Sequence, residues 1–322
     1  MPADPQATDP NQVGYSLANV AELLFPCLEA AGARSVLEIG AYRGELTAEL
    51  LEWAGAAGAE VSAVDPEPTP ELLELARQRP ELELLRETSH EVLAVRPLAD
   101  AIVLDGDHNY FTLSGELRLI AARSQGEVPL LMFHDVCWPH ARRDSYYAPE
   151  RIPEEERQPL AKDAGLVPGD HGVVAGGLPF EWAAASEGGP RNGVLTAIED
   201  FLAAHPGLRL ARIPAFFGFG ALWRENAPYA ARIEEIVAPF DAHPVLERLE
   251  ANRVSHLVTA HDRGRQLHRL SARAARQEEL LRSMAASRAF ALAERLSRLR
   301  RRGGEPAFSR ERVDRALRED GD

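Results

Sequence analysis

At 322 residues and 45% hydrophobic side chains, the chain is long enough for one large α/β domain with an appendage. Its formal charge of −14 is uneven: Asp262 to Arg302 holds twelve Arg against four Asp or Glu, a local +8 that leaves −22 to the remainder, which excludes a bulk nucleic-acid binder. No run of about 18 apolar residues occurs, and Met1 to Gln12 is polar and rich in Pro and Asp rather than leader-like, so a cytoplasmic protein without a membrane span is expected.

Leu17, Val20, Leu23, Leu24 and Leu28 recur at helical spacing and predict a helix over 17–31, closed by Gly32. Val36, Leu37 and Ile39 form a short apolar run ended by Gly40, which reads as a buried parallel strand, and Leu46, Leu50 and Leu51 resume a helix. Gly40 lets the backbone leave the strand at dihedrals other residues resist, Gly44 permits close approach, and the helix N-terminus offers free N–H groups. A second strand, Val61 to Val64, ends in Asp65-Pro66, 27 residues after Glu38 and therefore one βαβ step on. An acid in that place accepts ribose hydroxyls, and a turn aspartate before proline is the structural alternative.

Pro70 to Arg79 reads as a helix and Leu82 to Arg86 as a third strand, with Ser89 as candidate cap of a helix over 91–95. Ala101 to Leu104 is a fourth buried strand, ending in Asp105-Gly106-Asp107-His108-Asn109-Tyr110. After a helix over 113–123, Leu130 to Phe133 is a fifth, ending in His134-Asp135. Polar strand ends thus converge where open α/β sheets bind ligands. Over residues 136–191 the periodicity disappears. The stretch is too long for a passive connection and too rich in Arg and aromatics for disorder, so it is a lid or a packed insertion. Its Arg142, Arg143, Tyr146 and Tyr147 are candidate substrate contacts, with surface salt bridges as the alternative.

A helix over 193–204 and strands over 208–213 and 217–223 follow. Beyond Pro228, leucines recur among Arg and Ala without a strict heptad, which predicts long amphipathic helices or a coiled coil, with the tail Gly303 to Asp322 frayed. The expected division is 1–34 as a disordered start and helix, 35–225 as the catalytic domain, and 226–322 as a helical, Arg-rich extension. Self-association through that extension ranks ahead of membrane contact. Cys27 and Cys137 lack metal-type spacing and are expected as buried thiols. Lys162, the one lysine among 36 basic residues, leaves Schiff-base chemistry a single candidate.

Asp105, Asp107, His108, His134 and Asp135 make two oxygen-and-imidazole clusters at the ends of adjacent strands, and Asp105 and Asp135, 30 residues apart in a strand-helix-strand repeat, can both face one point. Carboxylates meeting in a crevice require protons or a cation, and Mg²⁺ takes hard oxygen donors. The bland alternative is that Asp107 or Asp135 caps a loop while His134 fills the core.

The pattern Glu38-x-Gly40-x-x-x-Gly44 departs from the G-x-G-x-x-G of dinucleotide sites and resembles motif I of the class I methyltransferases, which bind S-adenosylmethionine. Asp105-Gly-Asp-His-x-Tyr110 with Phe133-His134-Asp135-Val136 is similar to the methyltransferase family that includes macrolide-sugar O-methyltransferases and cephalosporin-hydroxylase-like proteins. The similarity covers about Ser35 to Trp223. It implies an α/β, Rossmann-like, doubly wound and mostly parallel seven-stranded sheet whose last strand is antiparallel.

By that resemblance Glu38, Gly40, Tyr42, Gly44, Asp65, Ser89 and Asp105 serve the cofactor, with Glu38 toward its cationic methionine end and Ser89 toward the adenine. Asp105, His134 and Asp135 would hold Mg²⁺ against a sugar diol, and His108 would take the proton from the hydroxyl. Two departures stand out: His134 replaces an acid, and Gly126-Glu-Val-Pro129 replaces the Pro-Gly-Gly often found before the fifth strand. The implied activity is S-adenosylmethionine- and Mg²⁺-dependent O-methylation of a sugar, glycan or glycosylated natural product. A nucleotide-dependent oxidoreductase and a non-catalytic scaffold working through the helical tail are the alternatives.

Overall fold

The central strands show no polar alternation because both of their faces are covered. In the computed structural model, which describes residues 14–300 and 309–319, β1 (Ser35–Ile39) is buried at four of its five positions, while β4 (Ala101–Leu104) and β5 (Leu130–Phe133) are buried throughout. With β2 (Glu60–Val64), β3 (Glu83–Leu85), β8 (Leu208–Ile213) and β9 (Phe219–Arg224) they form one seven-stranded sheet in the order β3-β2-β1-β4-β5-β9-β8. The first five strands run parallel, and β9, the last in the chain, is antiparallel to both β5 and β8. The winding reverses between β1 and β4, and the crevice outside the carboxyl ends of such a pair is where α/β sheets place ligands.

Helices cover both faces. On one side α1 (Ala21–Ala31), α2 (Glu45–Ala57), α3 (Pro70–Gln78) and α7 (Ala230–Val237) contribute Leu24, Leu28, Leu50, Leu72 and Ile233 to the core. On the other, α4 (Ser89–Val95), α5 (Tyr110–Arg123) and α6 (Val194–Ala204) contribute Leu93, Leu117, Ile120 and Ile198. Leu17–Val20 is a separate 3-10 turn ahead of α1, because Ser16 caps it while Val20 has no helical backbone. Cys27 and Cys137 are free, and burial pushes both thiols up to about 12, which leaves them unreactive near neutral pH.

Residues 136–191 carry more structure than their sequence suggests. β6 (Leu160–Leu166) and β7 (Leu178–Ala184) pair as an antiparallel hairpin, preceded by two short 3-10 turns. β6 reads Leu-Ala-Lys-Asp-Ala-Gly-Leu, without a β-branched or aromatic residue, so propensity gives no strand signal. Its Gly165 is instead required by contact, since a Cβ there would lie 1.6 Å from the Gly176 carbonyl oxygen.

Two compact units divide the chain at Thr259 and Ala260. The first includes α7, whose Ile233 and Val237 are fully buried, and the start of α8 (Pro244–Ala286), whose Val254 and Val258 pack on Leu178 and Phe217. The second holds the rest of α8, α9 (Arg288–Arg300) and α10 (Arg310–Glu319), with Leu267, Leu270, Leu280, Leu292 and Leu296 exposed. The tail expected to fray is therefore helical over Arg310–Glu319. Met1–Gln12 and the rest of that tail lie outside the described residues. Among the described residues no helix is long and apolar enough to cross a membrane.

Candidate active site

At the carboxyl end of β1, Gly40 sits at φ 88°, and a Cβ built on it would lie 2.1 Å from the Asp105 carbonyl oxygen. Only bare backbone fits there, so the turns after β1 and β4 touch. The Gly40 N–H donates to Val64 and the Asp105 N–H to Ile39, which carries the parallel ladder into both turns. Tyr42, left-handed at φ 46° and with its ring exposed, donates its N–H to Asp65 Oδ2 at 3.0 Å; Asp65 Oδ1 accepts from the Glu67 N–H at 2.9 Å. Gly44 precedes α2 at φ 85°, its α-hydrogens facing Leu75. Gly40, Tyr42, Gly44, Asp65 and Asp105 are thus gathered around one turn.

Glu38 and Ser89 are turned elsewhere. Glu38 is buried within β1, and its Oε2 accepts from the Thr47 hydroxyl of α2 at 2.6 Å, tying strand to helix beneath the turn. Burial pushes its carboxyl up to about 8, so it is protonated at neutral pH. The folded chain therefore binds a proton more tightly than the unfolded chain, and this contribution to stability falls as pH rises from the unfolded value of 4.5 to about 8. Glu38→Gln keeps the acceptor and removes the titration. Its free energy of unfolding is expected to gain on the parent's progressively between pH 5 and pH 8, by roughly 1–3 kcal/mol at the upper end; a constant difference across that range in denaturant titrations would refute the assignment. Ser89 opens α4, but Thr88 is its cap in a full capping box with Glu91, and the Ser89 hydroxyl turns to the buried Glu116 carboxyl.

Beyond β4 and β5 the imidazoles and carboxylates interlock. His108 Nδ1 lies 3.2 Å from Asp135 Oδ2, and His108 Nε2 lies 3.3 Å from the Tyr147 hydroxyl. His134 Nδ1 is 3.1 Å from Asp105 Oδ1 and 3.7 Å from Asp135 Oδ2, while its Nε2 donates to the Phe216 carbonyl at 2.8 Å. Asp135 takes the left-handed conformation, φ 59°, a strained geometry that aims its carboxylate between the two rings. Burial opposes charge on His134, but Asp105 and Asp135 outweigh it and raise the imidazole to about 10. Asp135 is also buried, yet His134 and His108 hold its carboxyl below the usual range. His140 stacks on His108 with ring centroids 4.5 Å apart, and burial lowers it to about 3, so the stack carries no repulsion between two cations.

These contacts bear on the expected Mg²⁺. Asp105, His134 and Asp135 offer ligand atoms within 4.8 Å of one another, as do His108, Asp135 and His140. In the first group the His134 Nε2 proton is fixed by a carbonyl acceptor and its Nδ1 is engaged by Asp105, so the group is two carboxylates around a cation rather than three open oxygens. The second supplies two nitrogens and one oxygen. Neither donor set fits Mg²⁺, which prefers oxygen ligands.

Of the four expected substrate contacts, only Tyr147 reaches the cluster. Its ring is tilted against His108, and its N–H donates to Asp107 Oδ1 at 3.2 Å. Arg142 is bidentate to Glu199 on α6. Arg143, fully buried, donates to the carbonyls of Ala184, His171 and Gly172. Tyr146 donates to the buried Asp144, which also accepts the N–H groups of Tyr110 and Gly193. Arg143 braces the insertion by satisfying carbonyls buried within it, Tyr146 by bonding the buried Asp144, and Arg142 forms an ion pair with α6. His140 and the Phe216 carbonyl went unrecognised in the sequence. The Phe-Phe-Gly at 216–218 was the available signal for the latter, and His140 had none.

No family model and no curated protein matches the chain. Solved structures do. An S-adenosylmethionine-dependent methyltransferase from Clostridium acetobutylicum is 14% identical at a TM-score of 0.39, covering 65% of this chain and 92% of its own. An SAH-bound methyltransferase from Podospora anserina is 14% identical at 0.38, covering 64% and 78%. Human N-acetylserotonin methyltransferase with bound SAM is 13% identical at 0.37, covering 66% and 55%. Likenesses this distant decide nothing about chemistry, which has to come from the residues of this chain.

Proposed function

We propose that the chain is an S-adenosylmethionine-dependent methyltransferase that alkylates a hydroxyl of a small polar molecule. Sugars, glycans and glycosylated natural products are the class implied by the sequence resemblance. The observation that carries this reading is the contact of the Gly40 turn with Asp105, which joins the nucleoside-type cradle, Asp65 included, to the Asp135–His108 pair.

S-adenosylmethionine, when bound, supplies an activated methyl group on its sulfonium. Asp65, each oxygen holding one backbone N–H, has lone pairs left for ribose hydroxyls, and the bare Gly40 turn admits the rest of the cofactor. Asp135 accepts the His108 Nδ1–H and so presents the Nε2 lone pair toward the Tyr147 hydroxyl, the place a substrate hydroxyl would take. His108 Nε2 would take the proton that the acceptor hydroxyl loses as it is methylated. The protein otherwise aligns donor and acceptor. His134 balances the two carboxylates, and no step passes through Mg²⁺.

Calorimetry on the full chain tests the cofactor: micromolar binding of S-adenosylhomocysteine with none of NAD(H) is expected, and the reverse pattern would select the oxidoreductase. Methyl transfer to a panel of hydroxylated glycans, once detected, is expected to persist in EDTA. Cofactor binding without turnover on any acceptor would favour the scaffold.

A further inference from the structure

His134 is held from outside the catalytic strands. Its Nε2–H donates to the carbonyl of Phe216, and the next carbonyl, that of Phe217, accepts the Cys137 N–H at 2.7 Å. Phe216 and Phe217 are consecutive left-handed residues, φ 53° and 67°, a conformation that bulky side chains rarely adopt and that persists only where the surroundings impose it. Glu250, on the first turns of α8, imposes it. Its Oε2 accepts the Phe216 N–H at 3.0 Å and its Oε1 the Phe217 N–H at 2.8 Å. Arg253 completes the clamp: its Nε and Nη2 donate to the same two oxygens at 2.7 and 2.6 Å, and its guanidinium lies over the Phe217 ring, 4.3 Å from the centroid. Tyr15 also stacks on Phe217, ring centroids 5.3 Å apart.

We propose that Glu250 is a positioning residue of this site: from the root of the helical extension it fixes the Phe216–Phe217 turn, whose carbonyl holds His134 between Asp105 and Asp135. The carboxylate is used in full by two backbone donors and one fork of arginine, which suits a fixed brace rather than a ligand contact. It lies beyond the stretch that resembles methyltransferases, so the active site extends into a part of the chain that motif I and its neighbours do not cover. Without the clamp, Phe216 and Phe217 relax from the left-handed region, the carbonyl leaves Nε2, and the His134 ring turns. Asp135 then loses one of the imidazoles that keep it ionised and aimed at His108.

The consequence for turnover rests on the methyl-transfer reading; the consequence for His134 does not. In the full-length chain labelled with ¹⁵N-histidine, the His134 Nε2–H is expected as a slowly exchanging ring proton, assigned by its loss in His134→Gln. Glu250→Ala should abolish or shift that signal, lower kcat by about ten- to a hundredfold through misplacement, and leave S-adenosylhomocysteine affinity within about threefold. Glu250→Gln, which retains one acceptor, should fall between, and it carries the same readouts if the alanine variant does not fold. Glu247→Ala, one turn earlier on α8, should change neither signal nor rate. An unshifted, still protected His134 proton in both Glu250 variants would overturn the proposal. Absence of any cofactor binding would overturn the methyl-transfer reading alone, since the histidine signal still reports the clamp.

Discussion

His108→Ala is expected to lower methyl-transfer turnover by about 10³-fold while S-adenosylhomocysteine affinity stays within about threefold. The magnitude follows from the role proposed for it: a positioned base typically contributes 10²–10⁴, and an alcohol does not attack effectively while it keeps its proton. His108 Nε2 is the available acceptor because Nδ1 is committed to Asp135 at 3.2 Å, and the neighbouring imidazoles are not available for the task. His134 has acceptors at both nitrogens, and His140 is buried against Ser145. Asp135→Asn should cost somewhat less, about 10²-fold, since the amide can still contact His108 but can present the wrong partner to Nδ1. Single-turnover rates beside calorimetric affinity separate these outcomes. If His108→Ala retained most of its turnover, the base would have to be another group, and the dyad would be structural.

The sheet was legible because its signals are local and mutually consistent. Apolar runs ended by Gly40, Asp65, Asp105 and His134 declared buried parallel strands with polar ends, and their spacing declared βαβ steps. Spacing also brought Asp105, His108, His134 and Asp135 to one crevice, as the structure has them. What spacing could not tell is which atom faces which. Glu38 stands within the motif but points its carboxyl into α2, and Arg143 and Tyr146 answer buried carbonyls and Asp144 rather than a ligand. Nor does any periodicity mark a glutamate 116 residues after His134 as the group that clamps the turn holding it. The β6–β7 hairpin was hidden for a simpler reason: its strands are held by pairing and by close glycine approach, not by apolar alternation.

Gly40→Ala is expected to remove most cofactor affinity, by about a hundredfold or more, and to destabilise the fold by about 3 kcal/mol or more. Two separable costs add at this position. The dihedral cost of placing an alanine at φ 88° is about 1–2 kcal/mol. The contact cost arises because the new methyl would sit 2.1 Å from the Asp105 carbonyl oxygen and 2.7 Å from the Gly106 Cα, both backbone atoms that cannot step aside without moving the loop that carries His108. Gly126 supplies the control, since it has nearly the same φ, 89°, with nothing within 4 Å of a built Cβ. Gly126→Ala should show the dihedral cost alone, with S-adenosylhomocysteine affinity unchanged. Denaturant titration and calorimetry of the two variants then isolate the contact term by difference. Equal losses of stability in both, or intact cofactor binding in Gly40→Ala, would mean that the β1 and β4 turns do not meet as described and that the cofactor cradle lies elsewhere.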